Sequence, residues 1–379
     1  MSAPQPVCPV TLPNGLDGWI TTGYDDARAV LADPRLCKDA ALVGRVLQAK
    51  LAAAGRPTDL SGMFYPHMMF ADGADHARLR GLVSKQFTAR RVEDLRPRIA
   101  HITETLLGEL PVDEPVDLIA AFAAPLPITV ICDLLGVPET DRTSFRAWAG
   151  ALMEDTAEVS GPATAAMGQY LADLIAAKRR DPDEDLLSAL TAAGDSDQLS
   201  ADELIGTCFL LLTAGHETTT AMIGSAVVLL LLHDPAAWRA IGADPALLAG
   251  AIDETLRLES PVRMASHRVT TAPVTLGGVT IPRDEFVFAG LGAANQDTTR
   301  FSDPETFDPT RRGSQHLAFG HGPHHCLGAQ LAELEGRIAL AALSNRFPDA
   351  RLVDPQRPPR QPSEFLNGPD RVMVTLSHA

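Results

Sequence analysis

The stretch from Ser200 to His233 constrains this chain more than any other. Ser200 and Glu203 have the S-x-x-E spacing of a capping box, in which each side chain satisfies a backbone N–H at a helix start. Asp234-Pro235 closes the far end, because proline cannot continue a helix. The text between is helix-forming and, at ~1.5 Å per residue, makes a rod of about 50 Å. Its runs LIGTCFLLL and AVVLLLL are apolar on every face, so the rod is buried and other helices must pack around it. A membrane span is argued against by Gly215-His216-Glu217-Thr218-Thr219-Thr220 at its centre. A buried glutamate is costly unless paired or protonated. Threonines in mid-helix compete for backbone carbonyls and loosen the turn. Together they offer a proton relay set in an apolar wall. The plainer alternative is that Glu217 binds an arginine and the threonines cap a kink.

A second signal is FGHGPHHCLG, Phe319 to Gly328. Glycines let backbone approach a flat ligand with no Cβ in the way. The text after Gly328, AQLAELEGRIALAALSNRF, is strongly helical, so Cys326 sits just before a helix start. Free N–H groups and the helix dipole there favour an anion, which predicts a thiol of lowered pKa. Such a thiolate suits a soft metal and can serve as the single axial ligand of a haem. Two plainer readings remain open here. A lone loop cysteine is more often a buried small residue. His316, His321, His324, His325 and Cys326 could also form a zinc site, although a structural site wants a second ordered pair of ligands.

Composition narrows the class. No linker divides the 379 residues, so one domain, 1–379, is expected. Cysteines at 8, 37, 132, 208 and 326 form no CxxC pair, which argues for a reducing compartment and a cytoplasmic protein. The opening MSAPQPVCPVTLPNG has neither a basic start nor an apolar core, so no signal peptide or membrane anchor is expected. A net charge of −16 argues against nucleic acid or an anionic membrane as partner.

Elsewhere the text predicts a strand at 19–22 and a helix at 24–31 stopped by Asp33-Pro34. Met63, Phe64, Tyr65, Met68, Met69 and Phe70 lie among prolines and a glycine, as at a ligand entrance or simply inside the core. Asp75 is placed to cap a helix carrying His76 and Arg80 on one face, a pair suited to a carboxylate or to plain solvation. Several helices follow between 96 and 190, broken at prolines, with a break expected at Ser160-Gly161-Pro162. On the predicted helix 247–258, Glu254 and Arg257 are i, i+3 neighbours. A small sheet is expected around Gly277-Gly278.

Taken in order, HxxxR at His76, AGHETT at Ala214, ExxR at Glu254, Arg268 and FxxGxxxCxG at Phe319 resemble the cytochrome P-450 family in its soluble bacterial, actinobacterial form. The resemblance runs from about residue 19 to the end. It implies a mainly α fold with a small β-rich region and a long central helix over haem. It makes Cys326 the iron ligand, shielded by Phe319, and assigns His76, Arg80, Arg268 and His324 to the propionates of haem b. It makes Glu217 and Thr218 the acid–alcohol pair that delivers protons, with room for dioxygen beside Ala214 and Gly215. Met69, Leu210, Thr213, Ala214 and Met264 would line the substrate pocket. The ExxR pair would be structural, and the helices around 145–170 a lid. The implied activity is O2-dependent monooxygenation of an apolar small molecule such as a polyketide, terpenoid or steroid. The chain has no Gly-rich strand–turn–helix for flavin or nicotinamide, so electrons would come from a separate ferredoxin and its reductase, docked near Lys85, Arg90 and Arg91. Oxidative coupling, bond cleavage, peroxide-driven chemistry and a non-catalytic haem carrier stay as alternatives. Three departures stand out. Thr306 occupies a position where an Arg or His is expected to complete a triad with ExxR, Gln296 replaces a common Arg, and ADGAD precedes His76. Arg263 is expected either to meet an acidic substrate group or to point away, and 365–370 to turn into the pocket.

Overall fold

The computed structural model describes residues 6–12, 15–53, 66–152, 157–195, 199–311, 313 and 315–377. Helices dominate it, with small sheets at one side. The central rod forms as two helices, Ala201–Gly215 and Glu217–His233, that meet at His216. Both halves of the capping box are present, between Ser200 and Glu203. Asp234 caps the next helix, Pro235–Ala240, by accepting from the Ala237 N–H. The second half of the rod is buried from Thr219 to Leu230 on every face. An apolar helix as long as Ala201–His233 has the length and hydropathy to cross a membrane, but 72% of its window is inside the protein.

Three helices grip the rod. Pro245–Leu258 brings Leu248, Ile252 and Leu256 to it, and Ala329–Arg346 brings Leu331, Leu340 and Leu343. Pro125–Leu134 crosses so closely that a Cβ on Gly215 would stand 2.7 Å from Ile131 Cδ1. Each fully buried Leu or Ile in this cluster contributes roughly 1.5–3 kcal/mol relative to exposure. A second core, around Cys132, Phe145, Leu171, Leu187 and Cys208, joins the first half of the rod to Arg142–Leu152 and Ala157–Arg180.

The largest sheet has five strands in the order Val7–Thr11, Asp17–Thr21, Phe286–Ala289, Arg268–Thr270, Leu36–Cys37. Its value to the site is positional. It sets Arg268 and the turn after Cys37 side by side, through the pairing of Cys37 with Val269. The hairpin Val274–Leu276 and Val279–Ile281 turns at Gly277-Gly278, both at positive φ, as a tight two-residue hairpin turn requires.

Three local expectations need correction, and Arg263 takes the second of its two expected courses. The helix expected to break at Ser160-Gly161-Pro162 runs unbroken from Ala157 to Arg180 through Pro162, and the preceding helix ends at Leu152. Proline six positions into a helix lies near the N-terminal end, where few backbone bonds are lost. Asp75 sits in the first turn of Gly73–Ser84, and the N-cap position belongs to Asp72. The segment 365–370 does not line the cavity described below. It is held on Pro261 and Arg263 by Asn367 N–H to Pro261 O and Arg263 N–H to Phe365 O. Arg263 itself donates to the Leu366 carbonyl at 3.2 Å and lines no part of that cavity.

Candidate functional site

A cavity of about 290 Å³ lies between the rod and the loop that carries Cys326. Met69, Leu210, Ala214, Gly215 and Thr218 line one side of it, and Phe319, Cys326 and Leu331 line another. Val262 and Ala265 complete the apolar wall. Two residues expected in that wall are elsewhere. Met264 is 7% exposed and packs with Val43, Phe286 and Phe288 in the core beside the large sheet. Thr213 turns its hydroxyl to the Phe209 carbonyl at 2.9 Å and is not a lining residue. The calls on Met63, Phe64 and Tyr65 fall outside the described residues.

The Cys326 loop is shaped by glycine. Gly320 and Gly322 both have φ of +73°, a conformation L side chains rarely adopt. At Gly322 a Cβ would also stand 3.0 Å from the Leu31 carbonyl oxygen. The loop closes with Cys326 N–H donating to Phe319 O at 2.8 Å, and Arg80 fastens it by donating to His325 O at 2.7 Å. Cys326 is exposed because it faces the cavity, although protein encloses it on its other sides. That enclosure raises its thiol above the ordinary value. The N–H groups of Gly328 and Ala329 and the charge of Arg80 oppose the rise. The expected lowering is therefore not what the protein alone produces, because desolvation outweighs the helix start. The donors that would receive a thiolate are in place, and a bound metal would deprotonate the sulfur outright.

The far wall of the cavity is cationic. Lys38, His76, Arg80, Arg268 and His324 all line it. His76 and His324 come together with ring centroids 4.1 Å apart, and His76 Nε2 is buried without a hydrogen-bond partner. Burial pushes His324 down to about 4 and also lowers His76, so both rings are neutral donors near neutral pH. Burial lowers Arg268 to about 10. Asp72 is the acid set among them. Burial alone would push it up, but bonds from His324, Cys37 and the N–H groups of Lys38 and Asp39 hold it well below the usual carboxylate range.

Lys38 is the member that sequence reasoning missed. It is 3% exposed, donates from Nζ to Ser266 Oγ at 2.7 Å, and is pushed down to about 7 by burial and then by Arg268. In the text it is a lysine in a short turn, which reads as surface. The single carboxylate of Asp72 faces two cations, Lys38 and Arg268, and the buried His76 Nε2 has no hydrogen-bond partner. A flat ligand with two carboxylates at this wall supplies the missing charge and the missing partner. With Cys326 on the same cavity, the residues present fit a haem. Among the described residues, no group of three or more His, Cys, Asp or Glu side chains could hold a metal ion, which leaves the zinc alternative without a donor set.

At the break in the rod, Thr218 donates to Ala214 O at 2.9 Å and Thr220 to His216 O at 2.9 Å, so the threonines serve the carbonyls around the bend. Among the described residues, Glu217 binds no arginine. Its Oε1 stands 3.2 Å from His216 Nε2, and the Gln361 side chain also bonds it. The bond from His216 outweighs burial and lowers the Glu217 carboxyl.

Below the cavity, Glu254 and Arg257 form a bidentate pair at 2.8 and 2.7 Å, with side chains 1% and 0% exposed. The third member is Arg311, which donates to Glu254 Oε1 at 3.0 Å. The doubt raised by Thr306 is thus resolved. Thr306 supplies its carbonyl to Arg257 and Arg311, and the charge comes from five residues later. Gln296 donates to the Leu258 carbonyl at 3.1 Å. Also unread in the sequence is Glu335, which lines the cavity yet is 1% exposed, with Oε2 unpartnered and its pKa pushed up to about 8 by burial.

Comparison with known proteins places this geometry. The family model described as Cytochrome P450 matches residues 243–376. The chain is 50% identical to Cytochrome P450 107B1 of Saccharopolyspora erythraea, over 92% of this chain and 86% of that one. It is 42% identical to the vitamin D(3) 25-hydroxylase of Pseudonocardia autotrophica, over 99% of this chain and 92% of that one. Among solved structures, the tirandamycin C-bound P450 monooxygenase TamI superposes with a TM-score of 0.89 at 42% identity, covering 98% of this chain and 94% of that one.

Proposed function

Because the chain belongs to the cytochrome P450 family, we propose that it is a haem-thiolate monooxygenase that hydroxylates or epoxidises a bulky, largely apolar small molecule, a secondary metabolite of polyketide, terpenoid or steroid type. The observation that carries this reading is one cavity with Cys326 on one wall, a cationic cluster on another and a broken apolar helix on a third. Bound haem b supplies iron that activates dioxygen, with a thiolate ligand that pushes electron density toward O–O cleavage.

The protein's own residues do the rest. Cys326 offers its sulfur where the Gly328 and Ala329 N–H groups stabilise negative charge. His76, Arg80, Arg268 and His324, joined by Lys38, hold the two propionates. Phe319 and Leu331 keep water from the sulfur side. Leu210, Ala214, Val262 and Met69 give the substrate an apolar surface whose burial drives binding and whose shape sets orientation. Thr218, on the cavity wall, and Glu217, just behind it, move protons in. Two partners belong to the proposal, a ferredoxin and its reductase, which would approach the exposed Lys85, Arg90 and Arg91. A soluble, cytoplasmic setting fits the free cysteines.

The test is spectroscopic first. The reduced protein with carbon monoxide should show the strongly red-shifted Soret band of thiolate ligation, and Cys326→Ala should lose it. A histidine-type band, or a thiolate band that survives the substitution, would refute the assignment. A substrate-induced spin-shift screen over polyketides, terpenoids and steroids then identifies the substrate. NADPH with surrogate redox partners should give a hydroxylated or epoxidised product, and NADPH alone none.

A further inference from the structure

The break in the central rod places an imidazole where the acid of the relay needs a partner. His216 is 5% exposed, with Nδ1 2.7 Å from the Leu212 carbonyl oxygen and Nε2 3.2 Å from Glu217 Oε1. A carbonyl oxygen only accepts, so Nδ1 must carry a hydrogen. A neutral ring then presents a bare Nε2 to the carboxyl. Two bare acceptors at that distance repel, and one more proton between them turns the repulsion into a hydrogen bond. It sits on Nε2, giving an imidazolium and a carboxylate, or on Oε1, giving a neutral pair. Among the described residues the Glu217 carboxyl is also bonded by the Gln361 side chain, from the C-terminal segment, which carries no charge.

We propose that His216 holds the proton that Glu217 delivers, so that the two side chains act as one unit with a single transferable proton. This rests on the reading of Glu217 as the proton donor. In the first move the Nε2–H bond breaks and an Oε1–H bond forms. An ion pair becomes a neutral pair, and the net charge of the site does not change. Glu217 then gives that proton to an acceptor oxygen in the cavity, which Gly215 and Thr218 on either side of the pair line. The pair is left with a neutral ring, a carboxylate and one negative charge. One proton from solvent restores it, and the Glu217 side chain, 20% exposed, is the group that solvent reaches. His216 does not line the cavity; it is a positioning residue that also stores the proton.

The experiment separates storage from simple bracing. Glu217→Gln, His216→Gln and His216→Leu are compared in the holoenzyme for product formed per NADPH consumed, with surrogate redox partners. Glutamine at 216 can still donate a hydrogen bond to Glu217 but cannot give a proton up. The expected result is that His216→Gln and His216→Leu both lower coupled product formation roughly a hundredfold, as Glu217→Gln does, the lower end of what a positioned proton donor contributes. If His216→Gln stays coupled while Glu217→Gln uncouples, the storage role is overturned and the Glu217 reading survives. If Glu217→Gln stays coupled, both fall. Nitrogen NMR of the His216 ring in the unsubstituted, reduced, carbon-monoxide-bound protein decides the matter independently of whether the variants fold. Two protonated ring nitrogens, or one together with a protonated-carboxyl infrared band lost in Glu217→Gln, support the proposal. One protonated nitrogen without that band overturns it.

Discussion

Replacing Arg257 by Met probes the charge network beneath the cavity, and the structure ranks the outcome. Glu254 accepts two bonds from Arg257, one from Arg311 and one from the Asp308 N–H. Arg257 also serves the carbonyls of Asn295, Pro304 and Thr306. Removing one partner of a buried pair leaves an uncompensated charge and costs about 3–5 kcal/mol. That is a large fraction of a typical stability of about 5–15 kcal/mol. Arg311→Met leaves the bidentate pair intact and loses one charge-assisted bond, worth about 1.5–3 kcal/mol. The other Arg311 acceptors, the carbonyls of Ser302, Asp303 and Thr306, lie in exposed surroundings where water replaces it. Thr306→Ala removes a side chain that makes no bond in the network and should stay within about 0.5 kcal/mol of the parent. Urea unfolding followed by far-ultraviolet dichroism, at equal haem content, reads all three. Haem content must be matched because a group bound only to the native state shifts the midpoint. If Thr306→Ala cost as much as Arg311→Met, or Arg257→Met less than about 1 kcal/mol, the network described here would not be what holds Glu254.

Lys38→Met removes one cation from the carboxylate-binding wall. Haem transfer to apomyoglobin should quicken by roughly tenfold, the equivalent of one charge-assisted bond, and an unchanged rate would exclude Lys38 from holding haem. Glu335 bears on pH. Its folded pKa, about 8, lies above the ordinary glutamate value of 4.5, so between these values the native state keeps a proton that the unfolded chain has released. Stability is therefore lost as pH rises through that window. Glu335→Gln should raise the urea midpoint relative to the parent at the top of the window and lose that advantage at its foot; a gain independent of pH would refute a neutral buried carboxyl. Thr218→Ala should retain haem and bind substrate but form less product per NADPH. Coupling equal to the parent's would take the Thr218 hydroxyl out of proton delivery.

What could be read in the chain, and what could not, follows from how far each cause reaches. The capping box at Ser200, the stop at Asp234-Pro235 and the apolar faces of the rod act within a turn of their own position, so the text states them directly. The same holds for Cys326 at a helix start behind glycines. The break at His216 was half legible. Its threonines signalled a loosened turn, but its position and partner depend on side chains from elsewhere, among them Ile131 against Gly215 and Gln361 beside Glu217. Irregular backbone was the least readable. The family resemblance pointed to 306 for the third charge of the Glu254 network, whereas the irregular stretch before the Cys326 loop brings the Thr306 carbonyl there and delivers the guanidinium of Arg311. Met264 likewise turned to the core because its irregular segment presents Val262 and Ala265, not the two residues between them, to the cavity.

Lys38 carries the argument to its end. Nothing near it in sequence makes it special. It becomes a desolvated cation only because Ser266 and Arg268, far along the chain, and Asp72 close around it. The chain's net charge of −16 argues against a polyanionic partner. Yet one wall of its cavity gathers Lys38, Arg80 and Arg268 with two imidazoles. Desolvation at that wall makes each charge worth more than it would be in water. The proposed dianion would therefore be held by a local field that the overall composition opposes, and a substitution at any of these cations should weaken haem binding while leaving the net charge of the chain almost unaltered.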